Sequence, residues 1–285
     1  MRRSAAAAVL AELRVHQWSK NLLLFVPLTM AHRLGHADDL ARVAAGAASF
    51  CAAASAGYVI NDLADLAHDR EHARKSLRPI AAGEISPFAA HALWLLLLGV
   101  AVPLGALAGK SFLILLGVYL AISLAYSFFL KRSILLDVIV LAFLYTLRVL
   151  AGGVAAQVPV SEWLLMFATF FFLSLALLKR FADTSTSGRP YSASDAAILR
   201  AFGVASATLS ILVFALYLSS AHVTALYHRP KILWAACPLF FYGLARMWLL
   251  AGRGEMHDDP VVFAAKDPAT YVAVALIAAL LVAAT

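Results

Sequence analysis

Apolar runs of about 20 residues recur along nearly the whole chain, separated by short charged segments, and this pattern leaves few folds open. A helix of about that length crosses a hydrocarbon core of roughly 30 Å. Lipid offers no partner for an unpaired backbone group, so spanning segments must be helices or closed barrels. The strands of a barrel would be half as long and would alternate in polarity. The chain has 285 residues, 63% hydrophobic and 14% charged, with a mean hydropathy of +0.84, so no soluble domain of useful size fits between the runs. The expected fold is all-α, a polytopic membrane bundle of about nine transmembrane helices in a single domain over residues 1–285. The spans are expected near 17–32, 39–62, 87–108, 111–130, 134–154, 161–179, 197–219, 230–250 and 262–284.

The first 16 residues carry basic side chains followed by alanines, as a secretory signal would. Glu12, Arg14 and Lys20 interrupt any apolar core too early for that, and the segment is expected to be a retained amphipathic helix on the membrane surface. With nine spans, the side that holds this segment and the loops after the second, fourth, sixth and eighth helices carries 17 of the 23 Lys and Arg. The other side carries 5, and Arg148 falls within a span. By the positive-inside rule the N-terminus and its loops are expected on the cytoplasmic side of an inner cell membrane. The net charge of +7 is spread over short loops without an aromatic-interleaved basic patch. Membrane lipid headgroups and phosphorylated substrates are the expected partners, and nucleic acid is not. Cys51 and Cys237 lie inside apolar spans and are expected to be buried without a disulfide.

The stretch GYVINDLADLAHDREHARKSLRPIAAGEIS, residues 57–86, carries the chemistry. Asn61, Asp65 and Asp69 are spaced i, i+4, i+8, so on a helix each lies about 40° round from the last and the three line one face over roughly 12 Å. Asp62 lies about 100° off that stripe. Their oxygens are the hard ligands that Mg²⁺ prefers, and Mg²⁺ keeps waters and phosphate oxygens rather than a full protein cage. Arg70, Arg74, Lys75 and Arg78 follow, as a phosphate clamp would, before Pro79 and Gly83 break the helix. The histidines His16, His68, His72 and His257 share no metal-ligand spacing with cysteines or one another, so no zinc site is expected.

Residues 61–83, NDLADLAHDREHARKSLRPIAAG, resemble the first aspartate-rich motif of the UbiA prenyltransferase superfamily, N-D-x-x-D-x-x-x-D followed by basic residues and R-P. The segments RVHQWSKNLLLFVPL (14–28), AYSFFLKR (125–132) and LRVLAGGVAAQVPVSEWL (147–164) resemble the branch that contains decaprenyl-phosphate phosphoribosyltransferase. KRFADTSTSGRPYSASD and GEMHDDPVVFAAKD look closer to relatives fused to a haloacid dehalogenase-like domain. The resemblance implies a membrane-embedded transferase that releases diphosphate with Mg²⁺ held by acidic motifs. Many aromatic prenyltransferases of the superfamily carry a second D-x-x-x-D after the sixth helix. Here Asp183 is the one carboxylate of KRFADTSTS, beside Lys179 and Arg180.

The resulting site places Asp65, Asp69, Lys20 and Arg78 in catalytic roles, with Asn61, Asp62, Asp65, Asp69 and Asp183 around Mg²⁺. Substrate contacts are expected from Arg14, Lys20, Asn21, Arg70, Lys75 and Arg78, and further from Tyr126, Lys131, Arg148, Lys179 and Arg180. Arg148 is an intramembrane charge, costing about 3 kcal/mol unless paired, and its expected partner is a substrate phosphate or Asp137. Asp258 and Asp259 precede Pro260 and are expected to cap a helix. The favoured reaction is transfer of a 5-phosphoribosyl group from phosphoribosyl diphosphate to a polyprenyl phosphate. Two readings compete: prenyl transfer from a prenyl diphosphate to an aromatic or other lipid-soluble acceptor, and a transporter of an anionic lipid or metabolite. Transporters place charges near the midplane, often on broken helices, whereas these acids and bases collect at one face.

Overall fold

The computed structural model describes residues 3–72, 75–183, 191–220, 223, 227–256, 259–264 and 266–285. Arg74, His222, His257 and Asp258 lie outside the described residues. Among the described residues every regular element is a helix. The chain opens with α1 (Ala5–Leu13), a 3₁₀ stretch (Val15–Phe25) and α2 (Val26–Met30). It continues through α3 (Ala37–Ala64), α4 (Leu66–Glu71), α5 (Pro87–Ala108), α6 (Lys110–Phe128) and α7 (Leu136–Ala156). Then come α8 (Glu162–Ala182), α9 (Ala196–Leu218), α10 (Ala236–Gly252), α11 (Pro260–Ala264) and α12 (Pro268–Ala284).

Among the described residues seven helices are long and apolar enough to cross a membrane, and they fall on the second to eighth expected spans. The first and last differ from the expected continuous α-helices. Polar Gln17, Ser19, Lys20 and Asn21 lie in the 3₁₀ stretch, and Pro27 stands in the first turn of α2, where its missing N–H costs nothing. A 3₁₀ rise of about 2.0 Å per residue lets Val15–Met30 cover roughly 30 Å with few residues. The last span breaks because Asp267 accepts from the Thr270 amide at 3.0 Å, starting a fresh helix with Pro268 in its first turn. α12 is 17 residues long.

The chain divides into two compact units, Met1–Leu130 with Leu147–Val160, and Lys131–Thr146 with Ser161–Thr285. α7 gives its first half to the second unit and its second half to the first. In the first unit α3 packs on α1, the 3₁₀ stretch, α5 and α6. Ser49 donates to the Ala101 carbonyl at 2.7 Å, and Trp18 donates to Ser55 at 3.1 Å, so polar side chains fasten neighbouring helices where lipid supplies no hydrophobic drive. Gly152 allows α7 to touch the 3₁₀ stretch, since a Cβ there would stand 2.0 Å from the Leu24 carbonyl oxygen. In the second unit α8 packs on α9, and Phe167, Phe214 and Phe240 form a mutual cluster with ring centroids 5.2 to 5.8 Å apart. The most apolar windows of α3 and α7 are 61% and 67% buried, against 22% and 17% for α5 and α6. The helices that carry Asp62, Asp137 and Arg148 are therefore the interior ones, as the cost of charge in lipid requires.

Candidate active site

The acidic motif closes α3. Asp65 ends that helix at φ −88°, ψ 4°, yet the i, i+4 ladder runs through it. Its amide donates to the Asn61 carbonyl at 2.9 Å, and the Asp69 amide donates to the Asp65 carbonyl at 2.8 Å. The expected register of Asn61, Asp65 and Asp69 thus survives the short break between α3 and α4. Asp65 is half-buried, while Asp62 and Asp69 are sealed at 3% and 1% exposure.

Cations from both flanks close on those two carboxylates. Arg14 leaves α1 in the left-handed region, φ 51°, and one of its terminal nitrogens donates to both oxygens of Asp62 at 2.8 and 2.7 Å. Its guanidinium also lies over the Tyr58 ring at 4.6 Å. Arg78 bridges Asp62 at 3.0 Å and Asp69 at 2.6 Å, and the Lys75 ammonium stands 3.8 Å from Asp69. Asp62, off the stripe by helical angle, is therefore joined to Asp69 through one guanidinium. The turn after Arg78 holds it there. Ala82 donates to the Arg78 carbonyl at 2.8 Å, Gly83 adopts φ 72°, and Ile80 and Ile85 are buried against Ala8, Val59 and Ala90. Arg70 is exposed.

Glu12, which in the sequence stands out only as an interruption of an apolar run, completes the cluster. It is 1% exposed on α1, and burial, then the negative field of Asp62, push its carboxyl up to about 7 against the pull of Arg14 and Arg78. Its position facing Asp62 comes from the packing of α1 on α3, which no local pattern announces.

The donor set fits Mg²⁺. Asp69 Oδ1 is buried without a hydrogen-bond partner and faces the Lys75 ammonium across 3.8 Å, so it keeps lone pairs to offer a metal. Among the described residues no three His, Cys, Asp or Glu side chains form a ready cage. Mg²⁺ takes one or two carboxylates plus water and phosphate oxygens rather than a full protein cage.

Deeper in the first unit Arg148 is 7% exposed. Its Nε donates to Asn21 Oδ1 at 3.0 Å, and a terminal nitrogen donates to the Tyr119 hydroxyl at 2.9 Å, with the guanidinium 4.8 Å over the Tyr119 ring. Asn21, 2% exposed, donates in turn to Cys51 Sγ at 3.1 Å. Both cysteines are free thiols. Lys20 and Tyr126 are half-buried in the same unit.

The second unit holds the residues expected after the sixth span. Arg180 is 1% exposed, and its Nε donates to Asp137 Oδ2 at 2.6 Å. The Tyr191 hydroxyl donates to Asp137 Oδ1 at 2.5 Å and accepts from the Leu135 amide at 2.9 Å. Burial and the Asp137 hydrogen bond push the Tyr191 phenol up to about 12. Asp137, weighed above as a partner for Arg148, is thus held by Arg180 and Tyr191. Lys179 pairs with Asp259 at 2.6 Å, and Asp259 accepts from the Val261 amide at 3.1 Å, capping α11 as expected. Asp183 is 42% exposed, 3.8 Å from Arg180, and Lys131 is half-buried in a 3₁₀ turn, Leu130–Arg132.

Comparison with known proteins bears on the family and the fold. The sequence model of the UbiA prenyltransferase family matches residues 22–267. The Sinorhizobium fredii protein y4nM is 42% identical across 94% of this chain, and the chain spans 54% of that relative's length. Decaprenyl-phosphate phosphoribosyltransferase of Mycolicibacterium smegmatis is 35% identical across 66% of this chain and 60% of its own. Among solved structures, a UbiA homolog from Archaeoglobus fulgidus bound to GPP and Mg²⁺ superposes with a TM-score of 0.70 at 19% identity, covering 96% of this chain and 99% of that one.

Proposed function

Because the chain belongs to the UbiA prenyltransferase family and is an integral membrane protein with several spans, we propose that it is a Mg²⁺-dependent transferase that releases diphosphate, joining a 5-phosphoribosyl group to a polyprenyl phosphate. The observation that carries the reading is the sealed pair Asp62 and Asp69, bridged by Arg78 and backed by Lys75, with Asp69 Oδ1 buried and not hydrogen-bonded. The 35% identity to a decaprenyl-phosphate phosphoribosyltransferase supports the choice of donor and acceptor. So does the sequence KRFADTSTS, which offers a single carboxylate where many aromatic prenyltransferases of the superfamily carry two.

Asn61, Asp62, Asp65 and Asp69 would hold the metal, and when bound it would supply Lewis-acid stabilisation of the leaving diphosphate. Arg78 and Lys75 stand where they can neutralise the charge that grows on that group as its bond to the anomeric carbon breaks. Arg14 fixes the Asp62 carboxylate from the opposite side. An acceptor phosphate oxygen then forms the new bond to carbon. It is already ionised, so no general base is required. By the distribution of Lys and Arg, the motif faces the cytoplasm.

The test is a choice between substrate pairs. Purified chain in detergent with Mg²⁺ receives either polyprenyl phosphate with labelled phosphoribosyl diphosphate, or prenyl diphosphate with a labelled aromatic acid. Labelled lipid from the first mixture is the expected result. Product only from the second replaces this reading with aromatic prenyl transfer.

A further inference from the structure

α1 buries two of its residues, Ala8 and Glu12, one turn apart on a single face. Ala8 packs with Val59 of α3, and the residues that follow Glu12 are fastened to the same helix. Ser55 donates to the Leu13 carbonyl at 2.8 Å, and Arg14 holds both oxygens of Asp62. Glu12 is pinned between these contacts at 1% exposure, and the rest of its helix, AAAAVLAEL, is apolar. Neither of its carboxylate oxygens has a hydrogen-bond partner among the described residues. A carboxylate sealed in this way costs free energy, and packing alone would place an alanine or leucine there.

The hydrogen bonds of the neighbouring cations go to other acids. Arg14 donates to Asp62, Arg78 to Asp62 and Asp69, and the Lys75 ammonium stands beside Asp69. Arg14 and Arg78 reach Glu12 only through their fields, and the strongest charge acting on it is that of Asp62, a second sealed acid. Ionised carboxylates are acceptors only, so these two offer each other nothing. A proton shared between them would satisfy one Glu12 oxygen and leave the other without a donor. A divalent cation engages both, and carboxylate oxygens are the hard ligands that Mg²⁺ takes. Asn61, half-buried on the motif stripe, reaches Asp62 Oδ1 at 3.4 Å, which ties the acid pair to the residues proposed above for the metal.

We propose that Glu12 is a divalent-cation ligand acting with Asp62, a carboxylate that the N-terminal helix α1 brings to the metal site from outside the acidic motif. The proposal rests on the transferase reading above for what the ion does there, since the ion is the one that meets the diphosphate. It makes α1 part of the site. Docking of α1 on α3 and binding of the ion are then coupled, because the ion draws ligands from both helices.

The experiment uses the full chain in nanodiscs with Mn²⁺, read by its paramagnetic resonance signal, and Mg²⁺ as competitor. It compares wild type with Glu12→Gln, Glu12→Asp and, as control, Asp69→Asn. Glu12→Gln keeps the shape and removes the sealed charge, so without metal it is expected to melt at or above the wild-type temperature. It is expected to lose about tenfold or more in Mn²⁺ affinity, and most of the rise in melting temperature that Mn²⁺ gives the wild type. Glu12→Asp keeps the carboxylate on a shorter stem and is expected to recover part of the loss. Ligation itself is read with Eu³⁺ as a hard-ion probe. Its luminescence decay in H₂O and D₂O counts the waters on the ion, and Glu12→Gln is expected to add at least one. If Glu12→Gln binds Mn²⁺ as the wild type does, Glu12 is no ligand and the acid pair shares a proton; loss of binding in Asp69→Asn then keeps the metal site itself. A fall in affinity with an unchanged water count also overturns the ligand. A wild type that binds no Mn²⁺, alone or with inorganic diphosphate, overturns both the ligand and the metal-dependent transferase reading.

Discussion

The Arg180 guanidinium lies 2.6 Å from the Asp137 carboxylate, and the two side chains are 1% and 0% exposed. A sealed ion pair of this kind, with Tyr191 on the second oxygen, is a brace between α7 and α8 within the second unit. Removing one partner strands the other's charge, at a cost of about 3 to 5 kcal/mol. Arg180→Ala is therefore expected to lower the melting temperature sharply in detergent, and adding Asp137→Asn in an Arg180→Met background to restore most of it. Lys179→Ala breaks a more exposed pair, worth about 1 kcal/mol or less, and is expected to leave melting nearly unchanged. Collapse of the Lys179 variant with a stable Arg180 variant would reverse these roles.

Asp65→Asn and Asp69→Asn keep the shape of the motif and remove the charge by which the proposed site would draw a cation. Transfer rates are expected to fall about 100-fold or more, with circular dichroism and membrane insertion unchanged. Chelation of divalent ions is expected to reduce the wild type to the same level. Wild-type rates in both variants would remove these residues from the metal site.

The distribution of Lys and Arg predicts an orientation. A cysteine at Ser76, placed in a chain whose Cys51 and Cys237 are replaced by Ala, is expected to react with an impermeant maleimide only in inside-out vesicles. A cysteine at His36, exposed on the loop before α3, is expected to react only in right-side-out ones. The opposite pattern would invert the topology.

Close packing holds Arg148 at its depth. Gly152 meets Leu24, and one turn earlier on both elements Arg148 meets Asn21, so the 3₁₀ stretch and α7 run side by side in the same direction. Gly152→Ala places a methyl 2.0 Å from the Leu24 carbonyl oxygen and must push the two apart. The expected cost is about 1 to 3 kcal/mol, seen as a lower melting temperature. Gly57→Ala, which meets only the Ser123 hydroxyl at 3.8 Å, is expected to melt as wild type.

Much of this protein was settled along the chain itself. Hydrocarbon permits only internally bonded backbone, so apolar runs of the right length had to become helices, and seven of the expected spans stand within a few residues of their places. The register of Asn61, Asp65 and Asp69 followed from the same rule, because i, i+4 hydrogen bonds are local. Partner choice was not local. Arg180 and Asp137 are 43 residues apart, Arg14 and Asp62 are 48, and Arg148 and Asn21 are 127. A buried charge demands compensation or orientation, but nothing in its own neighbourhood says which distant group supplies it. Several candidates shared each depth of the membrane. Only the packing of α1 on α3, of α8 beside α7, and of the 3₁₀ stretch against Gly152 chose among them, since a hydrogen bond forms where backbones approach closely enough for side chains to reach.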